Sequence, residues 1–183
     1  RYPHRRGSFG VIHHTDRPLI VFCEVYPKVY GAQRSMLELY SRWHSEGRYR
    51  LHFVYPTEGD LTEAVRGLGI PATCLRPGPL LGSYNKRLLR LRWRDYVTLS
   101  SEIWSYNRAV KRFLVESGAD LFHCNNDRAC LMGFLGARRA RCPLVTHLRR
   151  TATFGYLDRL VYRNSTEIIW VSGRVRDEFA RNN

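Results

Sequence analysis

Short, nearly continuous apolar runs alternate along this chain with segments whose apolar residues recur every three to four positions. That alternation restricts the fold more than any other feature. The first run, Pro18-Leu19-Ile20-Val21-Phe22-Cys23-Glu24-Val25-Tyr26, has the pattern of a strand covered on both faces. Met36, Leu37, Leu39, Tyr40 and Trp43 follow at helical spacing, with a stop at Gly47. Residues 49–55 read as a second strand. A helix opens at Glu58-Gly59-Asp60, turns Leu61, Ala64, Val65 and Leu68 inward and ends at Gly69, and residues 70–75 form a short third strand. From 77 to 95 the pattern lapses into a Gly/Pro turn and a basic stretch. A long helix then sets Leu99, Ile103, Tyr106, Val110 and Phe113 on one face and stops at Gly118. Residues 120–124, 143–147 and 166–172 read as three further strands, with helix over 128–140.

Buried strands alternating with amphipathic helices predict an α/β fold, a doubly wound, Rossmann-like parallel sheet with helices on both faces. Residues 1–17 are polar and basic without period and are expected to be a flexible arm, which leaves 18–183 as one domain. A hydrophobic content of 44% against 25% charged residues excludes a mainly disordered chain. No apolar run approaches the ~20 residues that a membrane span needs. The basic start, Arg1 to Gly7, has no long apolar stretch behind it and is not expected to be a secretory signal. The sequence begins with Arg1 rather than Met, as a fragment or processed product would. Cys23, Cys74, Cys124, Cys130 and Cys142 are an odd set without C-x-x-C spacing, so the expectation is a reduced, cytoplasmic chain with no structural metal.

Thirty Lys and Arg against sixteen Asp and Glu give a net charge of +14, which favours anionic partners. Nucleic acid, nucleotide-linked metabolites and an anionic membrane surface all fit, and charge alone does not choose among them.

Right-handed crossovers in such a sheet place the loops that follow the strands along one edge, where ligands bind. Four loops are expected there. Lys28 to Ser35 contains Gly31, Ala32, Gln33 and Arg34; a glycine before a helix N-terminus, beside an arginine, favours an anion or a sugar hydroxyl. His123-Cys124-Asn125-Asn126-Asp127 ends an apolar strand in a polar cluster, with His123 and Asn125 on one face by alternation. His147-Leu148-Arg149-Arg150 and Ser172-Gly173-Arg174 complete the set. Each also has a plain structural reading: the glycine loop as a turn, the Asn pair as a helix cap, the histidine as a hydrogen-bonded structural residue, the arginines as a solvated pair.

The basic stretch Lys86, Arg87, Arg90, Arg92, Trp93 and Arg94, interleaved with leucines, suits an anionic lipid interface with Trp93 at headgroup depth. It equally suits a nucleic-acid backbone, or a helix packed on the core with its basic stems reaching outward. Gly67-Leu68-Gly69 lies at a helix end and is no dinucleotide fingerprint, and there is no G-x-x-x-x-G-K-[ST] phosphate loop. His13-His14 lacks neighbouring ligands, and Glu38 and Glu46 share a helix surface without implying a motif.

The order of these segments resembles the N-terminal domain of GT-B glycosyltransferases of the family 4-like group. The resemblance rests on Tyr30-Gly31-Ala32-Gln33-Arg34-Ser35, Gly59-Asp60-Leu61 through Gly69-Ile70-Pro71, Asp120-Leu121-Phe122-His123-Cys124-Asn125, Pro143-Leu144-Val145-Thr146-His147-Leu148-Arg149, and Val171-Ser172 before a helix. Two departures stand out. Tyr30 occupies the place of a second glycine, and Asn125 that of a second histidine; Asn hydrogen-bonds a hydroxyl but takes up no proton at neutral pH.

The resemblance implies the acceptor-binding half of an enzyme that transfers a sugar from a nucleotide-sugar to a glycan or lipid-linked acceptor. The nucleotide-sugar is then a substrate, and no cofactor is expected. Carried over, Gly31 to Arg34 line the crevice near the donor phosphates, Asn125, Asn126, Arg149 and Arg150 meet the acceptor, and His123 and His147 are the catalytic candidates. The family's second domain, which holds most of the nucleotide-sugar site, is expected to be missing, so the chain alone should fold but be inactive. Expected partners are the nucleotide-sugar, the acceptor, that second domain and an anionic membrane inner face, with no nucleic acid. The alternative is a basic α/β module that binds nucleic acid or another polyanion.

Overall fold

The structure, a computed structural model, describes residues 17–83, 92–149 and 155–182. Arg150, Lys86, Arg87, Arg90, His13, His14 and all but the last residue of the proposed arm lie outside the described residues. Arg17, the last residue of that segment, donates from its Nη1 to the Gly47 carbonyl at 3.0 Å.

Six strands form one parallel sheet: β1 (Leu19–Cys23), β2 (Arg50–Tyr55), β3 (Ala72–Cys74), β4 (Leu121–Cys124), β5 (Leu144–Leu148) and β6 (Glu167–Trp170). Their order is β3-β2-β1-β4-β5-β6, and every pairing is parallel. The strands thus sit where the apolar runs place them, with bounds that differ by a few residues at most ends. Helices α1 (Gly31–Glu46) and α2 (Asp60–Gly67) connect β1 to β3. A short α3 (Pro79–Gly82) and a long α4 (Trp93–Ser117) lead to β4, and α5 (Asp127–Ala140), α6 (Gly155–Asn164) and α7 (Gly173–Asn182) follow β4, β5 and β6.

Alternation sorts each strand between two layers. Ile20, Phe22, Leu51, Phe53 and Tyr55 pack on Met36 and Tyr40 of α1 and on Leu61 and Val65 of α2. The Phe22 and Tyr40 rings stack at 3.8 Å. On the other face, Val21, Cys23, Val54, Phe122, Leu144 and Leu148 meet Tyr106, Val110 and Leu114 of α4, Met132 of α5, Val161 of α6 and Phe179 of α7. Because α1 and α2 cluster with the β1–β2 half, β6 is covered on one side only among the described residues, and Glu167, Ile169 and Val171 are exposed on the other. The apolar run over 166–172 therefore overstates how deeply the last strand is buried.

Gly47 and Gly118 stop α1 and α4 in the left-handed region, with φ of 64° and 65°. Close contact between α4 and α5 is set by Gly136, where a Cβ would lie 2.8 Å from the Asn107 carbonyl oxygen and from Val110. The fully buried Asn107 completes that joint. Its Nδ2 donates to the Met132 carbonyl at 2.8 Å, and its Oδ1 accepts from the Gly136 N–H at 2.7 Å. Those are the two groups that an α-helix otherwise joins to each other.

Three elements depart from the sequence reading. Helix α6 is absent from it; of the helix's apolar residues Tyr156, Leu157 and Tyr162 are exposed, and Val161 is its one deeply buried hydrophobe. The Gly/Pro turn holds the single helical turn α3, opened by Pro79 at its first position. Helix α4 starts at Trp93, inside the stretch that reads as irregular, where the Asp95 carboxylate accepts from the Arg92 N–H at 2.9 Å.

Candidate functional site

Strand order reverses between β1 and β4, since the chain builds outward from β1 through β2 and β3 and then returns to its other side. Open parallel sheets bind ligands at that reversal, beyond the carboxyl ends of the strands. The loops after β1, β4, β5 and β6 leave four adjacent strands at this edge, as expected from the sequence.

Two of those loops are tied together through one carboxylate that the sequence reading places simply within a strand. Glu24, 1% exposed, follows β1 directly. Its Oε1 accepts from the Val25 N–H at 2.7 Å and the Tyr26 N–H at 3.0 Å, and also from Asn126 Nδ2. Its Oε2 accepts from Gln33 Nε2 at 3.0 Å and Asn125 Nδ2 at 2.6 Å. A buried carboxylate is tolerated only when its lone pairs are satisfied in this way, so Glu24 fixes the loop after β1, the first turn of α1 and the loop after β4 relative to one another. The one signal available in the sequence is a carboxylate at the end of an otherwise apolar run.

Arg149, just past β5, adds the third loop. Its Nη2 donates to Asn125 Oδ1 at 2.9 Å, its Nε to the Asn125 carbonyl at 3.3 Å, and its Nη1 to Ser35 Oγ of α1 at 3.4 Å. Burial pulls the guanidinium below its ordinary pKa, while Glu24 and Tyr40 oppose that shift. Part of Arg149 stays open to solvent.

The two histidines lie on the α1 side of the sheet, since His123 pairs in register with Phe22 and with Val145, two residues before His147. Their rings are nearly parallel, 20° apart, with centroids separated by 6.4 Å. His123 is 3% exposed, its Nδ1 is hydrogen-bonded to the Tyr40 hydroxyl, and its Nε2 is buried without a partner among the described residues. Burial first, then His147 and Arg149, lower its pKa to about 4. His147 is half-buried, and burial followed by Arg149 lowers it to about 4 as well. Both rings are therefore neutral at physiological pH, with His147 the one that solvent reaches.

The remaining candidates divide by exposure. Gly31, Ala32 and Arg34 sit in the first turn of α1, with Gly31 and Arg34 exposed, and among the described residues a Cβ on Gly31 would meet nothing within 4 Å. Gln33, by contrast, points inward and is 3% exposed. Asn126 is both a cap and a strut, because its Oδ1 accepts from the Ala129 N–H of α5 at 2.7 Å. The loop after β6 stands apart: Ser172 Oγ caps α7 through the Val175 N–H, and Arg174 pairs with Glu178 at 3.1 Å. Further along the same edge, a cavity of about 450 Å³ is lined by Thr57, Glu58, Arg76, Gly78 and Ser83, none of which stands out in the sequence as a candidate.

All five cysteines are free thiols, and burial pushes those of Cys23, Cys124, Cys130 and Cys142 upward, away from nucleophilic character. Among the described residues no group of three or more His, Cys, Asp or Glu is placed to hold a metal ion, and no helix is long and apolar enough to cross a membrane.

A sequence model of Glycosyltransferase Family 4 matches residues 29–183. No curated protein matches the chain by sequence. Among solved structures, HepE of Anabaena, crystallised with UDP and glucose, is similar over 91% of this chain and 41% of its own, with a TM-score of 0.67 at 16% identity. A glycosyltransferase from Rickettsia africae matches 92% of this chain and 40% of its own, with a TM-score of 0.65 at 13% identity. MurG of Acinetobacter baumannii matches 84% and 41%, with a TM-score of 0.61 at 13% identity. The chain thus spans about 40% of the length of these structures, and its fold is that of the N-terminal domains of GT-B glycosyltransferases.

Proposed function

The chain belongs to glycosyltransferase family 4, and from that premise we propose that these 183 residues are the acceptor-side half of an enzyme that moves a hexosyl group from a nucleotide-sugar to a glycan or lipid-linked acceptor. The transfer forms a bond from the anomeric carbon to an acceptor hydroxyl oxygen and breaks the bond to the phosphate oxygen, releasing a nucleoside diphosphate. Negative charge develops on that leaving group, so the site must supply positive potential that is fixed in advance.

The observation that carries this reading is the Glu24–Asn125–Arg149–Ser35 chain of hydrogen bonds, which locks three loops around the strand-order reversal. It leaves the exposed Gly31 and Arg34 of the first turn of α1 and the partly exposed edge of Arg149 on the same rim. In this reading the first turn of α1 and Arg34 meet the donor diphosphate. His147 and Arg149 meet the transferred sugar or the acceptor hydroxyl. His123, Gln33, Asn125 and Asn126 act from behind, as positioning residues. With His147 neutral, its imidazole can accept a proton from an acceptor hydroxyl. The protein works at the inner face of a membrane if its acceptor is lipid-linked. HepE carries UDP and glucose in its crystal, which supports a nucleotide-sugar donor here.

The match to about two fifths of those structures supports a second, donor-side half, so the 183-residue chain alone is expected to be folded and inactive. The test is thermal stability against a panel of nucleotide-sugars and oligonucleotides, measured on this chain and on the full reading frame that contains it. Stabilisation of the longer protein by one nucleotide-sugar supports the reading and names the donor. No response to any nucleotide-sugar, together with stabilisation of this chain by oligonucleotides, would sink it in favour of a polyanion-binding module.

A further inference from the structure

Helix α4 buries Tyr106, Val110 and Leu114 on one side, while Trp93, Val97 and Trp104 on the other side are 73%, 65% and 57% exposed. On a 3.6-residue period these three share their side with the exposed Arg108 and Lys111. The stripe from position 93 to 111 is about 27 Å long at 1.5 Å per residue. Each exposed indole carries a guanidinium against its face: Arg94 lies 5.4 Å from the Trp93 ring centroid, and Arg139, in the last turn of α5, lies 4.1 Å from that of Trp104. The carboxylates of the helix's first half are turned elsewhere, Asp95 to the Arg92 N–H and Glu102 to the Leu81 N–H at 2.8 Å.

A water-facing helix side does not ordinarily gather two tryptophans and a valine. Indoles flanked by guanidiniums, with further cations along the same line and no carboxylate among them, match a surface that is apolar below and anionic at headgroup height. We propose that this face of α4, extended by Arg139, is the site at which the protein docks on an anionic phospholipid bilayer. Helix α4 follows β3 and precedes β4 in a wholly parallel sheet, so its Trp93 end lies at the edge where the strands end. Docking there sets the open crevice beside the bilayer surface. Docking itself does not depend on the transferase reading; only its purpose does, namely presenting a lipid-borne acceptor to the crevice. The surface differs from the basic stretch singled out in the sequence, sharing with it only Trp93 and Arg94.

The experiment is co-sedimentation of the 183-residue chain with vesicles of phosphatidylcholine alone and of phosphatidylcholine mixed equally with phosphatidylglycerol. The mixed vesicles should bind the protein about tenfold better or more, as expected when several cations meet an anionic surface. Arg108→Gln and Arg139→Gln should each weaken that binding about fivefold, as expected for one cation at such a surface. Trp93→Ala with Trp104→Ala should weaken it further, with thermal unfolding unchanged because both indoles lie outside the core. Equal sedimentation with the two vesicle types, or binding indifferent to the tryptophan pair, overturns the proposal. An oligonucleotide that displaces the vesicles and binds the double tryptophan variant undiminished also overturns it, and so does a dimer in solution that the tryptophan changes abolish. Because nucleotide-sugar binding is read separately, either proposal can fail without the other.

Discussion

Glu24 and Asn125 stand 101 positions apart in the chain, and Asn125 Nδ2 donates to Glu24 Oε2 at 2.6 Å with both residues buried. Neither residue is explained by its own segment. One ends a strand of the first half, the other ends a strand of the second, and the bond between them closes the seam where the strand order reverses. The polar rim of the crevice is built outward from that contact.

Replacing Glu24 with Gln should therefore damage the rim and the fold together. An amide in that place turns an NH₂ group toward donors that need an acceptor. Breaking a buried network of this kind costs about 3 kcal/mol. Urea denaturation of wild type and Glu24→Gln measures the difference, and a loss below about half a kcal/mol, on the order of a surface substitution, would contradict it.

Tyr40→Phe removes one hydroxyl and leaves both nitrogens of the buried His123 without partners among the described residues. The ring stacking on Phe22 survives, so the cost is that of an unsatisfied polar group, about 1–3 kcal/mol. The same change frees the imidazole to tilt toward His147. Two-dimensional NMR of the histidine side chains in Tyr40→Phe should show both resonances move; an unmoved His147 would separate the two rings functionally.

Acid should destabilise the fold through His123. Its folded pKa, about 4, lies below the ordinary value of 6.5, so the unfolded chain binds a proton that the folded chain refuses. Stability is then complete above pH 6.5 and falls as the pH drops from 6.5 toward 4, by at most about 3 kcal/mol. His147 acts in the same direction but contributes less, being half in water. Comparing wild type with His123→Gln across that window isolates the effect from titrating carboxylates. Parallel stability curves for the two proteins would refute it.

Gly136→Ala drives a methyl group into the Asn107 carbonyl and Val110, and overpacking of this kind costs about 1–3 kcal/mol. Gly31→Ala, whose new methyl group would meet nothing, should leave stability within about half a kcal/mol of wild type apart from a small helix-propensity gain. Thermal melts of the pair check both, and an equal loss at the two positions would show that the space at α1 is not open.

Arg149→Ala, in the full reading frame, should weaken nucleotide-sugar or acceptor binding by about tenfold, the loss expected for a charge-assisted contact. Arg149→Lys should not restore it, because one ammonium cannot reach Asn125 and Ser35 together. Calorimetric titration of the three proteins decides this, and full rescue by lysine would reduce Arg149 to a point charge.

The bare sequence dictated the alternation of strand and helix, because burying apolar residues with periods of two and 3.6 is a local demand written in each segment. It determined the stops at Gly47 and Gly118 in the same way, through backbone conformations that glycine alone takes up easily. Polar clusters at the strand ends were legible as well, and Gly31, Asn125 and Arg149 lie at the edge where the parallel strands end. What the tertiary structure alone decided is which way those residues face. His123 and Gln33 turned inward while His147 and Arg34 stayed open, since α1 covers the β1–β4 seam and reaches no further. Glu24 became the centre of the site only through partners 9, 101 and 102 positions away, which no local pattern could announce. The inward face of α4 was legible in its period, Tyr106 and Val110 being buried as read, but that Arg139 of α5 lies over Trp104 on its outer side was settled by the packing of the two helices.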